Sequence, residues 1–166
     1  MGLDMHLHRK TYVKNWNHMR YEEKHQVTVK LNKKKHPYIK KELICNVDEE
    51  IGYWRKANFI HRWFVDNVQN GVDDCKEYYV DIEQLQELYD LCVQVKKSPE
   101  MAAETLPTQS GFFFGDTAYD EYYLEDLEKT IKILKPILKL DKELVVKSEN
   151  GERVYDYPDY YYQSSW

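Results

Sequence analysis

The apolar pattern of this chain changes period along its length, and that change limits the folds open to it. Near the start, Leu3, Met5 and Leu7 alternate with Asp4, His6 and His8, as in a strand with one buried face. Val27, Val29 and Leu31 alternate with Thr28 and Lys30 in the same way. The run Asn32-Lys33-Lys34-Lys35-His36-Pro37 then reads as a turn, and Tyr38 to Ile44 as the returning arm of a basic hairpin.

The spacing then becomes helical. Asp48 is a suitable N-cap, with Glu49 and Glu50 in the first turn, and Tyr53, Ala57, Ile60, Phe64 and Val68 recur on one face. Asn70-Gly71 is a natural stop. A second helix begins at Asp81, where Asp81 and Gln84 match a capping box. Its stripe is Ile82, Leu85, Leu88, Tyr89, Cys92 and Val95, and Ser98-Pro99 ends it. A third carries Leu124, Leu127, Ile131, Leu134 and Leu138, with Pro136 expected to kink or end it. Between these two, Glu100 to Gly115 reads as a loop with a short strand. Strand-like runs return at Leu144 to Lys147 and Arg153 to Tyr157, flanking the hairpin signal Asn150-Gly151, and at Tyr160 to Trp166. The order lacks regular βαβ alternation. The expected fold is one α+β domain over residues 1–166, an antiparallel or mixed sheet packed with about three helices.

Composition narrows the function classes. The net charge of −5 disfavours nucleic acid as the main partner. The three cysteines are widely spaced and form no CxxC, which fits reduced thiols. The first residues lack the pattern of a signal peptide, and no apolar run is long enough to span a bilayer. A cytoplasmic protein with no membrane partner is expected. Aromatic residues make up 14% of the chain, a composition suited to pockets and interfaces.

Two segments stand out as candidate binding elements. If residues 48–68 form one helix, Trp54, Asn58 and His61 share a face, and Arg55 and Arg62 lie close to one another in angle. A stacking ring, an amide, an imidazole and guanidinium groups suit a planar anionic ligand such as a nucleotide. The competing reading widens the core with Trp54, ties Asn58 and His61 to backbone, and pairs the arginines with acids. The second segment is Thr108-Gln109-Ser110-Gly111-Phe112-Phe113-Phe114-Gly115-Asp116-Thr117, where Phe112, Phe113 and Phe114 would form apolar walls or a buried strand.

Asp4, His6 and His8 form an Asp-x-His-x-His stripe, incomplete as a metal motif and read as surface or structural, so no metal is expected. The lysines at 33–35 read as a solvated turn. No phosphate loop, GxGxxG, HExxH or GxSxG occurs. No catalytic residue is assigned and no cofactor is expected.

Gly2-Leu3-Asp4-Met5, Gly52-Tyr53-Trp54-Arg55-Lys56-Ala57-Asn58, Ser110 to Gly115 and Tyr161-Tyr162-Gln163-Ser164-Ser165-Trp166 together resemble a family of small uncharacterised phage and prophage proteins. That family usually begins GLDMYL, so His6 departs from its pattern. The resemblance implies an accessory protein of a bacterial cytoplasm, in a class that often counters host defence. It carries over no established activity. The leading expectation is a non-enzymatic binder, a sponge for a small anionic ligand such as a nucleotide or cyclic nucleotide immune signal. An inhibitor of a bacterial host protein, built on exposed tyrosines and Tyr160-Tyr161-Tyr162, stays open, as does a nucleotide hydrolase with His61 as base. A homo-oligomer is compatible with each.

Overall fold

A computed structural model describes residues 2–152 and 157–166. The strand expected near the N-terminus is β1 (Asp4–Tyr12), and it sits inside a four-stranded sheet. On one side it pairs antiparallel with β4 (Asn46–Arg55), and on the other with β6 (Asp159–Ser165), the strand expected at the C-terminus. A short β5 (Tyr78–Val80) completes the order β4-β1-β6-β5, and every pairing is antiparallel. The α+β expectation holds.

The register follows from the alternation. Leu3, Met5 and Leu7 are fully buried, as are Trp54, Val80 and Tyr162 on neighbouring strands. Residues between them face the other way and are half-buried or exposed. One break matters. Leu7 pairs with Gly52 but His8 pairs with Glu50, so Ile51 is an extra residue, a β-bulge. Beyond the bulge, Glu50 and Asp48 share the outer face with His8 and Lys10, while Arg9 and Glu49 form a two-pronged ion pair at 2.9 Å on the inner side.

Among the described residues, the helices pack on the inner face. Helix α1 (Asn58–Asn67) follows β4 after a sharp reversal, and α2 (Ile82–Lys97) opens where expected, the Asp81 N–H donating to Gln84 Oε1 at 2.9 Å. A turn of 3-10 helix at Pro99–Met101 leads into the short α3 (Ala102–Thr105), and the long α4 is Glu121–Glu149. The core joins the inner sheet face to Phe59, Ile60, Phe64, Leu85, Leu88, Leu127 and Leu134. Trp54 lies in its middle, its indole N–H donating to Thr130 Oγ1 of α4 at 2.9 Å, and Phe64 stacks flat on Tyr162 at 3.9 Å.

Four sequence expectations fail here, each for a physical reason. Residues 48–55 are strand, because Asp48, Glu49 and Glu50 find cross-strand partners on β1 that outweigh their fit to a helix start. The basic hairpin is far smaller than expected: β2 (Lys30–Leu31) and β3 (Lys34–Lys35) close around Asn32 and Lys33, both left-handed as a type I′ turn requires. Of the two outcomes expected at Pro136, the ending does not occur, since α4 runs on to Glu149; Pro136 is exposed, as is Lys132, the residue whose carbonyl loses its donor. Residues 144–147 are also helical, and Gly151, with φ +78°, acts as a helix stop instead of a hairpin turn, its N–H reaching the Ser148 carbonyl at 3.0 Å. The strand expected at Arg153 to Tyr157 falls mainly on residues 153–156, outside the described residues.

At Gly52 the side chains of α4 approach the sheet backbone closely. A Cβ there would lie 2.8 Å from Ile133 Cγ2 and 3.2 Å from Leu7 Cβ. Gly52→Ala should therefore destabilise the fold by about 1–3 kcal/mol through overpacking, read as a lowered urea midpoint with an unchanged slope.

Candidate functional site

The junction between β4 and α1 is the most constrained backbone near the predicted binding residues. Lys56 is left-handed, with φ +61°, an uncommon state for a residue with a Cβ. Its N–H donates to the Leu3 carbonyl at 2.8 Å, and its carbonyl accepts from the Asn58 N–H at 2.8 Å, so the reversal is pinned to β1 and to the start of α1. Gly115, with φ +87°, lies against it: a Cβ at 115 would sit 3.2 Å from Lys56 Cβ. Only glycine meets both conditions.

Asn58 holds the loop that follows α3. Its Nδ2 donates to the Phe114 carbonyl at 3.1 Å and the Asp116 carbonyl at 2.7 Å, while its Oδ1 accepts from the Gln109 N–H at 3.1 Å. The amide is 2% exposed and serves the loop, not a ligand. The loop is a turn in place of the short strand expected there, with the Phe114 N–H reaching the Gly111 carbonyl at 3.3 Å. It separates the three phenylalanines. Phe112 is 93% exposed, Phe113 is half-buried and packs edge-on against it, and Phe114 is buried edge-on against His61.

His61 is fully buried with both ring nitrogens engaged, Nδ1 with the Tyr162 hydroxyl at 2.8 Å and Nε2 with Asp73 Oδ2 at 2.9 Å. The Trp166 indole donates to the other Asp73 oxygen at 3.0 Å. Burial raises the Tyr162 hydroxyl well above its ordinary range. This chain of bonds ties α1 to the C-terminal strand. Cys92 is buried in α2 with its thiol pushed up to about 12 by desolvation, so it is a packing residue and no nucleophile near neutral pH.

The single helical face expected for Trp54, Asn58 and His61 does not exist, because Trp54 lies on β4 and the other two on α1. Trp54 is buried, so its ring faces α4 and the core. The two arginines also sit on different elements. Arg62 donates to the Thr108 carbonyl at 3.2 Å and lies 3.6 Å from Asp66. Arg55 is the most available of the set, its side chain 60% exposed and 3.9 Å from Asp4.

Arg55, Lys56 and Asn58 border a cleft of about 540 Å³, within the range of small-molecule sites. The far wall comes from the loop and the start of α4: Asp116, Asp120, Tyr122, Tyr123, Glu125 and Asp126. Sequence reading missed this wall, since nothing in the spacing joins residues 120–126 to residue 55. The Asp120 carboxylate caps α4, accepting from the Tyr122 and Tyr123 N–H groups. Tyr123 donates to the Leu106 carbonyl, whereas Tyr122 stays 75% exposed. Desolvation lifts the Asp126 carboxyl to about 6, against the pull of Lys129. A second, more apolar groove of about 760 Å³ lies between α2 and the end of α4, edged by Lys135, Lys139, Lys142 and Lys147.

No protein-family model, curated protein or solved structure matches the chain.

Two outcomes follow from this geometry. Asn58→Ala should cost about 2–4 kcal/mol, since it orphans buried loop groups, and should expose the loop to limited proteolysis. Asp126 behaves in the opposite sense. Its folded carboxyl binds a proton more tightly than the unfolded one, so stability falls as pH rises from about 4 to about 6. Asp126→Asn should raise the melting temperature at pH 7, and the gain should vanish below about pH 4.

Proposed function

We propose that this chain is a phage accessory protein that binds a small anionic ligand of the nucleotide class, without converting it, in the cleft between the β4–α1 junction and the start of α4. The phage setting, a bacterial cytoplasm and a role against host defence rest on the motif resemblance. No helix among the described residues is long and apolar enough to cross a membrane.

The observation that carries the ligand reading is the composition of the two walls. Arg55 and Lys56 stand on one side, and Tyr122 with four carboxylates on the other. A guanidinium and an ammonium suit a phosphate. An exposed tyrosine ring offers a stacking surface for a base. Carboxylates accept hydrogen bonds from base N–H groups or ribose hydroxyls. Acids outnumber bases in the cleft, so a bare polyphosphate meets net repulsion, while a ligand carrying N–H and O–H donors beside its phosphate does not.

A thermal-shift panel of linear and cyclic nucleotides, with inorganic phosphate as control, tests this. A nucleotide should raise the melting temperature and be recovered unchanged after denaturation, and phosphate should not. Arg55→Ala should weaken binding by about 10–100-fold, the worth of a charge-assisted contact, with the fold intact. Unchanged binding in Arg55→Ala and Lys56→Ala, with loss in a Lys139→Ala, Lys142→Ala variant, would move the site to the α2–α4 groove. Recovery of an altered nucleotide would make the chain an enzyme.

One observation favours the second reading, an inhibitor of a host protein. Among the described residues, the outer sheet face presents Tyr53 and Tyr79, both exposed, and the half-buried Tyr161. Of the tyrosines at 160–162 only Tyr161 faces outward, as Tyr160 and Tyr162 are core.

A further inference from the structure

The same open face brings together a set of ligating side chains. His6 and His8 are two residues apart on β1 and so project from the outer face side by side, their ring centroids 6.2 Å apart. Two histidines alone make an incomplete set. The third member comes from β4: Glu50 pairs across from His8, and its Oε2 lies 2.8 Å from His6 Nδ1. The bulge at Ile51 puts it there. Uninterrupted alternation from Tyr53 would turn Ile51 outward and bury Glu50, and the extra residue reverses that phase. Bulges re-aim side chains in this way next to functional sites.

We propose that His6, His8 and Glu50 bind a divalent first-row transition metal, with Zn²⁺ the expected ion. Each residue can offer one ligand atom such that all three atoms lie within 4.8 Å of one another. Zinc bonds of about 2.0–2.1 Å place tetrahedral ligands roughly 3.4 Å apart, so small side-chain rotations on this open face suffice. Two imidazoles and one carboxylate are an established donor set for zinc and for non-haem iron.

The neighbours orient the ligands. Asp48 Oδ1 lies 2.8 Å from His8 Nδ1, and a proton held there leaves Nε2 with the lone pair that a metal needs. Tyr53 packs against His6 at 5.3 Å between ring centroids. Its hydroxyl donates to Asp4, so Asp4 is engaged elsewhere and is not a ligand. Lys10, which shares this face of the strand with the two histidines, is held by Glu77 and lies 4.0 Å from Asp48. The histidine side chains are 29% and 24% exposed. Water therefore reaches the ion from the open side, and three protein ligands with a free position resemble a reactive zinc site more than a closed structural one.

The test uses the untagged full chain with Co²⁺ as a visible probe and Zn²⁺ as competitor. One Co²⁺ per chain should bind, give d–d absorption bands and be displaced by Zn²⁺. His6→Gln and His8→Gln should each abolish the bands while circular dichroism stays native. Asp48→Asn should weaken affinity by about tenfold, as for other partners of metal-bound histidines. No bands up to about millimolar Co²⁺, a concentration that marks very weak binding, would overturn the proposal. So would a spectrum that survives the double His6→Gln, His8→Gln variant, because the ion would then sit elsewhere. Neither result bears on the nucleotide cleft, which shares none of these residues.

Discussion

Strand β1 is paired on both edges, and the rest of the molecule is arranged by that fact. Its partners come from opposite ends of the chain, β4 from residues 46–55 and β6 from residues 159–165. A strand hydrogen-bonded on both sides satisfies its backbone groups without solvent. Its buried side, with Leu3, Met5 and Leu7 at zero exposure, then demands cover, and α1, α2 and α4 supply it. The pairing with β6 joins residues 4–10 to residues 159–165 and so closes a loop of nearly the whole chain, a contact with a high closure entropy.

Buried polar contacts from three residues tie the layers of this core together. Trp54 to Thr130 fixes α4 across the sheet, His61 between Tyr162 and Asp73 fixes α1 to the C-terminal strand, and Asn58 fixes the loop at 109–116. Each satisfies a polar atom that would be costly to bury alone. They also explain why residues that look functional in the sequence are structural. Trp, Asn and His in one short stretch suggest a ligand, yet here each spends its hydrogen bonds on the protein. Among the described residues, the groups available for chemistry lie at the margins: Arg55, Lys56 and the exposed Tyr122 around one cleft, and a row of histidines and carboxylates on the outer sheet face.

The fold class was legible in the sequence, and so were β1, β6 and α2, because their periodicities are long or their caps are specific. Helix α4 was legible in its first half only. Leu144 to Lys147 carry β-favouring valines, and Asn-Gly is as good a helix stop as a hairpin turn. The start of α1 was misplaced by nine residues (N-cap Asp48 expected, Ala57 observed) because an acidic N-terminal pattern matches a helix start. Cross-strand partners on β1 answered those acids instead. That one misreading scattered the predicted site, since it had put Trp54 and Arg55 on the same helix as Asn58, His61 and Arg62.

Local pattern by itself determined that the chain is α+β, which faces of its clearest strands and helices are apolar, and where α2 begins. These properties depend on residues close in sequence, whose spacing matches the pitch of one element. Tertiary structure alone decided that Glu50 joins His6 and His8, that residues 120–126 face Arg55, and that His61 lies between Tyr162 and Asp73. Each depends on strand register, on a single bulge or on the packing of α4, and those are settled by burial and pairing over the whole chain, where spacing along the sequence carries no signal.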